Sequence, residues 1–110
     1  MAIGHIKNRK LHISMEKLKK QYNRNRNTYV QLEEGENHYI YGVWSLKDSP
    51  EGEPSYYEVF RRKVLKAKTI NGNAYPEREA YPSDKDFGVW AWCCSTLERA
   101  NHIKTEKCLF

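Results

Sequence analysis

The sequence is short of several things, and each shortage excludes something. It has three cysteines in 110 residues, Cys93, Cys94 and Cys108. The number is odd and two are adjacent, whereas a secreted disulfide framework uses even, spaced cysteines. Neighbours on a strand point to opposite faces, so Cys93 and Cys94 are not expected to bridge each other. Free thiols in a reducing, cytoplasmic compartment are expected. No apolar run approaches the roughly 20 residues of a membrane-spanning helix, so no membrane partner is expected. The opening MAIGHIKNRK lacks the apolar stretch of a secretory leader. Hydrophobic residues are also sparse, at 39%. Aromatics compensate at 13%, with eight Tyr, three Trp and three Phe, because each buries a large area. With 30% charged residues, the composition is that of a folded domain with a well-solvated surface.

Acidic residues are nearly missing from one part of the chain. Residues 1–26 hold eight basic side chains (Lys7, Arg9, Lys10, Lys17, Lys19, Lys20, Arg24, Arg26) against Glu16 alone, a net +7. The remaining 84 residues hold eleven basic and thirteen acidic groups, a net −2. The basic character of the chain, +5 overall, therefore belongs to its N-terminal quarter. Such a block attracts polyanions: nucleic acid, anionic lipid or an acidic protein face.

Local patterns suggest the elements. Residues 1–13 read as a basic arm or a short strand. SMEKLKKQY predicts a helix, with Ser14 as N-cap and Met15, Leu18 and Tyr22 on one stripe. NRNRN would end it, because asparagines favour turns. Residues 28–46 read as a hairpin turning at EGEN, with Gly35 free to take positive φ. KDSPEGEPS is a loop. YYEVFRRKVLKAK reads as a strand of uneven parity, with a bulge near Arg61–Lys63. Asn71-Gly72 is a strong reversal signal. The echo AYPERE, AYPSDK reads as extended edge, with Tyr75 and Tyr81 pinned onto the sheet. Phe87–Cys94 is expected as the last strand, leading into a helix capped by Ser95 and Glu98, with Leu97, Ala100 and Ile103 as its apolar stripe. The order predicts one α+β domain over residues 1–110. Its antiparallel sheet would have about four strands, with an N-terminal and a C-terminal helix packed on one face.

Several chemical readings fall away on context. The triplet Asp86-Phe87-Gly88 matches the magnesium-binding element of protein kinases. The glycine-rich loop, strand lysine and catalytic loop of that fold are missing. Adjacent cysteines on a strand diverge, whereas zinc ligands converge at CxxC-like spacing; no metal and no cofactor are expected. A nucleophilic cysteine needs a base and an electropositive setting, which His102 alone does not supply. Glu58, Glu77, Glu79, Asp84 and Asp86, with Lys63 or Lys66, offer the residue types of a metal-dependent nuclease, but at no diagnostic spacing. Trp90 and Trp92 would share one strand face, as core or as a stacking platform. The platform would need Arg61, Arg62 and Lys66 on a neighbouring strand.

What remains is the basic segment. Lys17, Lys20 and Arg24 would share one helix stripe, and with Lys7, Arg9, Lys10 and Arg26 would follow a phosphate backbone; Arg61 and Arg62 join them as candidate contacts. No motif for base-specific reading accompanies them. The segment YYEVFRRK … YPSDKDFGVWAWCCSTLERA resembles small one-domain proteins of bacteria and their phages, over the last half of the chain. That resemblance implies a context of binders, regulators and inhibitors, and no activity. The expectation is a small non-enzymatic protein that engages nucleic acid or a nucleoprotein complex through a basic N-terminal helix. A protein-interaction module, such as a phage-encoded inhibitor of a host defence enzyme, is one alternative. Its acidic loops at 33–36 and 48–53 would mimic phosphate and its partner would be a protein. A metal-dependent hydrolase is the other.

Overall fold

β-Branched and aromatic residues dominate the stretches 38–44 and 56–60, and both become strands of one sheet. The computed structural model describes residues 16–45 and 52–108, which divide into two compact units. The larger holds residues 19–45, 52–62 and 82–108, the smaller residues 16–18 and 63–81. In chain order the strands are β1 (Gln21–Arg24), β2 (Asn27–Glu34), β3 (His38–Trp44), β4 (Tyr56–Arg61), β5 (Val64–Leu65), β6 (Lys68–Ile70), β7 (Asn73–Tyr75), β8 (Arg78–Glu79) and β9 (Ala91–Cys94). The helix α1 (Leu97–Lys107) follows β9.

In the larger unit the strands form an antiparallel sheet of order β1-β2-β3-β4-β9. The expected α+β class, antiparallel sheet and C-terminal helix are present. The expected N-terminal helix is absent among the described residues. Glu16 makes an isolated bridge and Gln21–Arg24 is an edge strand, the fifth strand that the sequence reading had not counted. The reason lies in the partners of the Lys19–Lys20 backbone. Lys19 N–H donates to the Tyr22 hydroxyl at 3.0 Å, and its carbonyl accepts from the Tyr41 hydroxyl at 2.6 Å. The Lys20 carbonyl accepts from Gln31 N at 2.8 Å. These carbonyls are taken by the sheet, so they are lost to i→i+4 helical bonding. The predicted cap Ser14 lies outside the described residues, as do residues 1–13.

The chain then reverses in two residues. Arg24 pairs with Asn27, and Asn25 and Arg26 both take positive φ, 53° and 68°. That is the signature of the tight hairpin turn that matches strand twist. NRNRN is therefore a hairpin tip and not a helix end.

One sheet face is covered by α1. Ile40, Tyr57 and Val59 pack with Ala100, Ile103 and Cys108, and Trp92 and Cys94 join them. Leu97, the first residue of the predicted stripe, is instead exposed. The cap is Thr96, whose hydroxyl accepts from Arg99 N at 3.0 Å, one residue later than the expected Ser95. The opposite face is an aromatic layer. Tyr41 stacks on Phe60 with centroids 5.7 Å apart, Tyr39 leans on both, Tyr22 meets Tyr41, and Trp90 stands edge-on to Phe60. Both faces of β3 and β4 are thus buried, as runs apolar on alternate sides require.

The Gly35 turn differs from expectation. Gly35 does not take positive φ; its missing Cβ makes room for the His38 ring, which packs directly on it. His38 Nε2 meets Glu33 Oε2 at 2.6 Å, and Lys104 Nζ reaches the same oxygen at 3.1 Å. This triad ties the β2–β3 turn to α1.

The region around Asp86 also departs from a simple strand. Asp84–Asp86 is a short 3₁₀ turn, and the Asp86 carboxylate accepts from Ser83 N at 2.8 Å and from the Ser83 hydroxyl at 3.0 Å. The Asp of the kinase-like triplet is a capping group. Gly88 takes φ 95°, and the strand proper begins only at Ala91. Within the smaller unit, β6 and β7 turn at Asn71-Gly72, with φ 52° and 81°. β5 pairs with β8. No bulge carries β4 onward: it ends at Arg61, and the chain resumes at Val64 with a different partner strand. Tyr75 is exposed on β7 and not pinned down. Among the described residues no helix is long and apolar enough to cross a membrane.

Candidate nucleic-acid interface

The predicted basic residues fall into three sets. Lys7, Arg9 and Lys10 lie outside the described residues. Lys17 is exposed in the smaller unit, and Lys20, Arg24 and Arg26 are exposed on the β1–β2 hairpin of the larger one. The helical stripe of Lys17, Lys20 and Arg24 does not exist, but a ribbon replaces it. Lys20 Nζ reaches Gln31 at 3.4 Å and Glu34 at 3.8 Å, long contacts between exposed groups that hold it weakly. The Arg24 guanidinium lies over the Tyr29 ring at 5.1 Å. A cleft of about 280 Å³ runs around the tip, lined by Asn23, Arg24, Arg26, Asn27 and Thr28.

Arg61 and Arg62 belong elsewhere. Arg61 pairs with His38, at the end of the sheet away from the hairpin tip, where Thr28 pairs with Trp44. Its Nε donates to the Lys107 carbonyl at 2.7 Å and its guanidinium lies 5.8 Å from the centre of the Trp92 ring. Arg62 donates to the Gly35 carbonyl at 2.8 Å and covers the Tyr39 ring at 4.9 Å. Both are committed to holding turn, strand and helix together.

The tryptophan platform is not assembled. β4 and β9 are neighbours, but Trp90 packs on Phe60 in the aromatic layer while Trp92 packs under α1. The turn at Gly88 rotates Trp90 out of the strand's alternation. Of the carboxylates proposed for a nuclease, Glu58 and Asp84 line one cleft, described below, with no third acid of the described residues beside them. Glu79 is buried and accepts from Leu18 N at 3.2 Å, Asp86 caps Ser83, and among the described residues no three His, Cys, Asp or Glu side chains gather as metal ligands. The acids at 33–34 are paired with His38, Lys104, Lys20 and Arg62; residues 48–51 lie outside the described residues.

A second hollow was not foreseen. Next to the hairpin tip, a cleft of about 320 Å³ is lined by Arg24, Asn25, Tyr29, Tyr56, Glu58, Pro82, Ser83, Asp84 and Phe87. Strand register builds it. Tyr29, Val43 and Tyr56 form one row across β2, β3 and β4, and Tyr41, Glu58 and Cys93 form the next across β3, β4 and β9. The Tyr29 and Tyr56 hydroxyls share a hydrogen bond. Burial, then Tyr29 and the negative charge of Glu58, push the Tyr56 phenol far above its usual range. Burial and then Glu58 also push the Cys93 thiol up, so it is not primed as a nucleophile. Glu58 is 8% exposed, in a strand interior where an acid is unexpected. The alternation of YYEVF, which puts Tyr56, Glu58 and Phe60 on one face, was the available signal. Asp84 and Phe87 arrive only through the 3₁₀ turn.

No family model matches the chain, and no match was found among the curated proteins or the solved structures.

Proposed function

We propose that this chain is a non-enzymatic binding protein that engages nucleic acid through its basic N-terminal segment and the β1–β2 hairpin that ends it. The observation that carries the reading is Arg26. Among the described residues, two hairpins have two-residue loops at positive φ. One uses Asn71-Gly72, the unstrained solution; the other uses Asn25-Arg26. A side chain other than Gly, Asn or Asp in the left-handed region costs of the order of 1 kcal/mol, and such strain persists where function requires it. Here it holds an arginine at a solvent-exposed tip, two residues from Arg24, with three asparagines around them. Arginine and asparagine are the side chains best suited to phosphates and base edges. A two-stranded ribbon is narrow enough to enter a groove or to track a strand.

Salt dependence tests this. Four to six phosphate contacts give a log–log slope of affinity against salt of roughly −4 to −5 on duplex DNA. Single strands give a shallower slope, and Arg26→Ala reduces it by about one contact. A flat response, or no binding at low salt, removes the proposal.

A further inference from the structure

We infer that the cleft beside the hairpin tip is a base pocket, which takes one unstacked amino-bearing pyrimidine, cytosine, from a single strand held at the tip. The inference rests on the nucleic-acid reading above and adds a ligand specificity to it. Three observations carry it.

The first is continuity. Arg24 lines both the tip cleft and this one. A strand whose phosphates meet Arg24 and Arg26 therefore has the mouth of the second cleft within reach of its next base. Its lining joins polar Asn25, Ser83 and Asp84 to the rings of Tyr56 and Phe87, with Tyr29 beneath Arg24 and Pro82 buried behind.

The second is size. About 320 Å³ is at the small end of ligand clefts. It suits one ring and not a base pair, so the base must come out of its stack. Aromatic walls compensate by restacking it.

The third is charge. Glu58 lies in the buried part of the cleft. A carboxylate there repels phosphate and favours a hydrogen-bond donor. Among pyrimidines only cytosine presents an exocyclic amine, and a glutamate accepting from that amine is the pairing its geometry fits. Thymine and uracil present a carbonyl oxygen at the same place, against Glu58. Division of labour follows: the hairpin tip takes phosphates without regard to sequence, and Glu58 reads the base.

Fluorescence anisotropy of the full chain with short labelled oligo-dC, oligo-dT and an oligonucleotide of 2-pyrimidinone (cytosine without its amine) tests this. At low salt the wild-type protein is expected to bind oligo-dC about tenfold or more tightly than either of the others. Glu58→Gln is expected to erase that preference from both sides, weakening oligo-dC and strengthening oligo-dT, because the amide can donate to a thymine carbonyl. Phe87→Leu is expected to weaken oligo-dC selectively. The analogue comparison uses unaltered protein, so it stands even where a substitution disturbs folding. Equal binding of all three strands by the wild type overturns the base pocket and leaves the hairpin reading intact. Retention of the cytosine preference in folded Glu58→Gln overturns the role of Glu58. Absence of binding to every strand overturns both.

Discussion

The sharpest structural test concerns Gly35, whose role is to leave space. Its φ is not in the left-handed region, so alanine meets no backbone penalty there. A Cβ, however, would fall inside the contact distance of His38 Cε1 and Nδ1 and 3.0 Å from Nε2. The imidazole has little freedom to yield. Its side chain is 8% exposed and it is held by Glu33, which Lys104 holds in turn. Relieving the overlap means displacing the ring and losing the His38–Glu33 bond. Overpacking costs about 1–3 kcal/mol and a bond to a charged group about 1.5–3 kcal/mol. Glu33 is partly solvated, so the smaller values apply, and Gly35→Ala is expected to destabilise by about 2–3 kcal/mol. With His38 truncated to alanine the sign reverses. Glycine-to-alanine at an ordinary φ then stabilises by about 0.4–1 kcal/mol, because the unfolded chain loses freedom. Urea titration of the two single mutants and the double mutant closes the cycle, with a coupling of roughly 3 kcal/mol. An equal cost of Gly35→Ala in both backgrounds would refute the argument.

Three other outcomes are expected. Arg26→Gly relieves the left-handed arginine and raises stability by about 0.5–1 kcal/mol, yet weakens nucleic-acid binding; loss of both stability and binding would contradict a strained functional tip. Glu33 has its pKa held below the usual 4.5: burial alone raises it, but the bonds from His38 and Lys104 outweigh that. Its contribution is therefore complete above the ordinary glutamate value and lost as pH falls through the lowered folded value. Between about pH 6 and about pH 3 the wild type should lose more stability than Glu33→Gln, and equal losses in urea midpoint would count against the triad. Finally, burial and, after it, the Glu58 charge hold the Cys93 thiol protonated, and Glu58→Gln removes the second of these. Alkylation of Cys93 near neutral pH, followed by mass spectrometry, should speed up, while buried Cys108 reacts last in both proteins; an unchanged Cys93 rate would separate it from Glu58.

Much of the fold was legible because its signals are local. The Asn71-Gly72 reversal, the alternating β-formers of 38–44 and 56–60 and the apolar pair Ala100 and Ile103 each state a conformation within a few residues. The candidate site was legible only as a list of cations. Arg24 and Arg26 were marked out by charge density, but Lys17, Lys20 and Arg24 were read with a helical period. A strand of four residues is too short for its alternation to outvote the Met15, Leu18, Tyr22 stripe. The Glu58 cleft needed residues from three separate segments, and no periodicity links them.

The sequence by itself determined the class of the domain, its antiparallel strands, its last helix and the concentration of positive charge near its start. Those follow from side-chain pattern and composition, which act over short range. The tertiary structure alone decided that the described end of the basic segment, Gln21–Arg24, is an edge strand and not a helix. It also decided that Trp90 and Trp92 part company and that Arg61 and Arg62 reach the Lys107 and Gly35 carbonyls. The physical reason is the same in each case. Backbone and guanidinium groups take the partners that folding brings to them, and Tyr41, Gln31, Gly35 and Lys107 become those partners only once the sheet has closed around them.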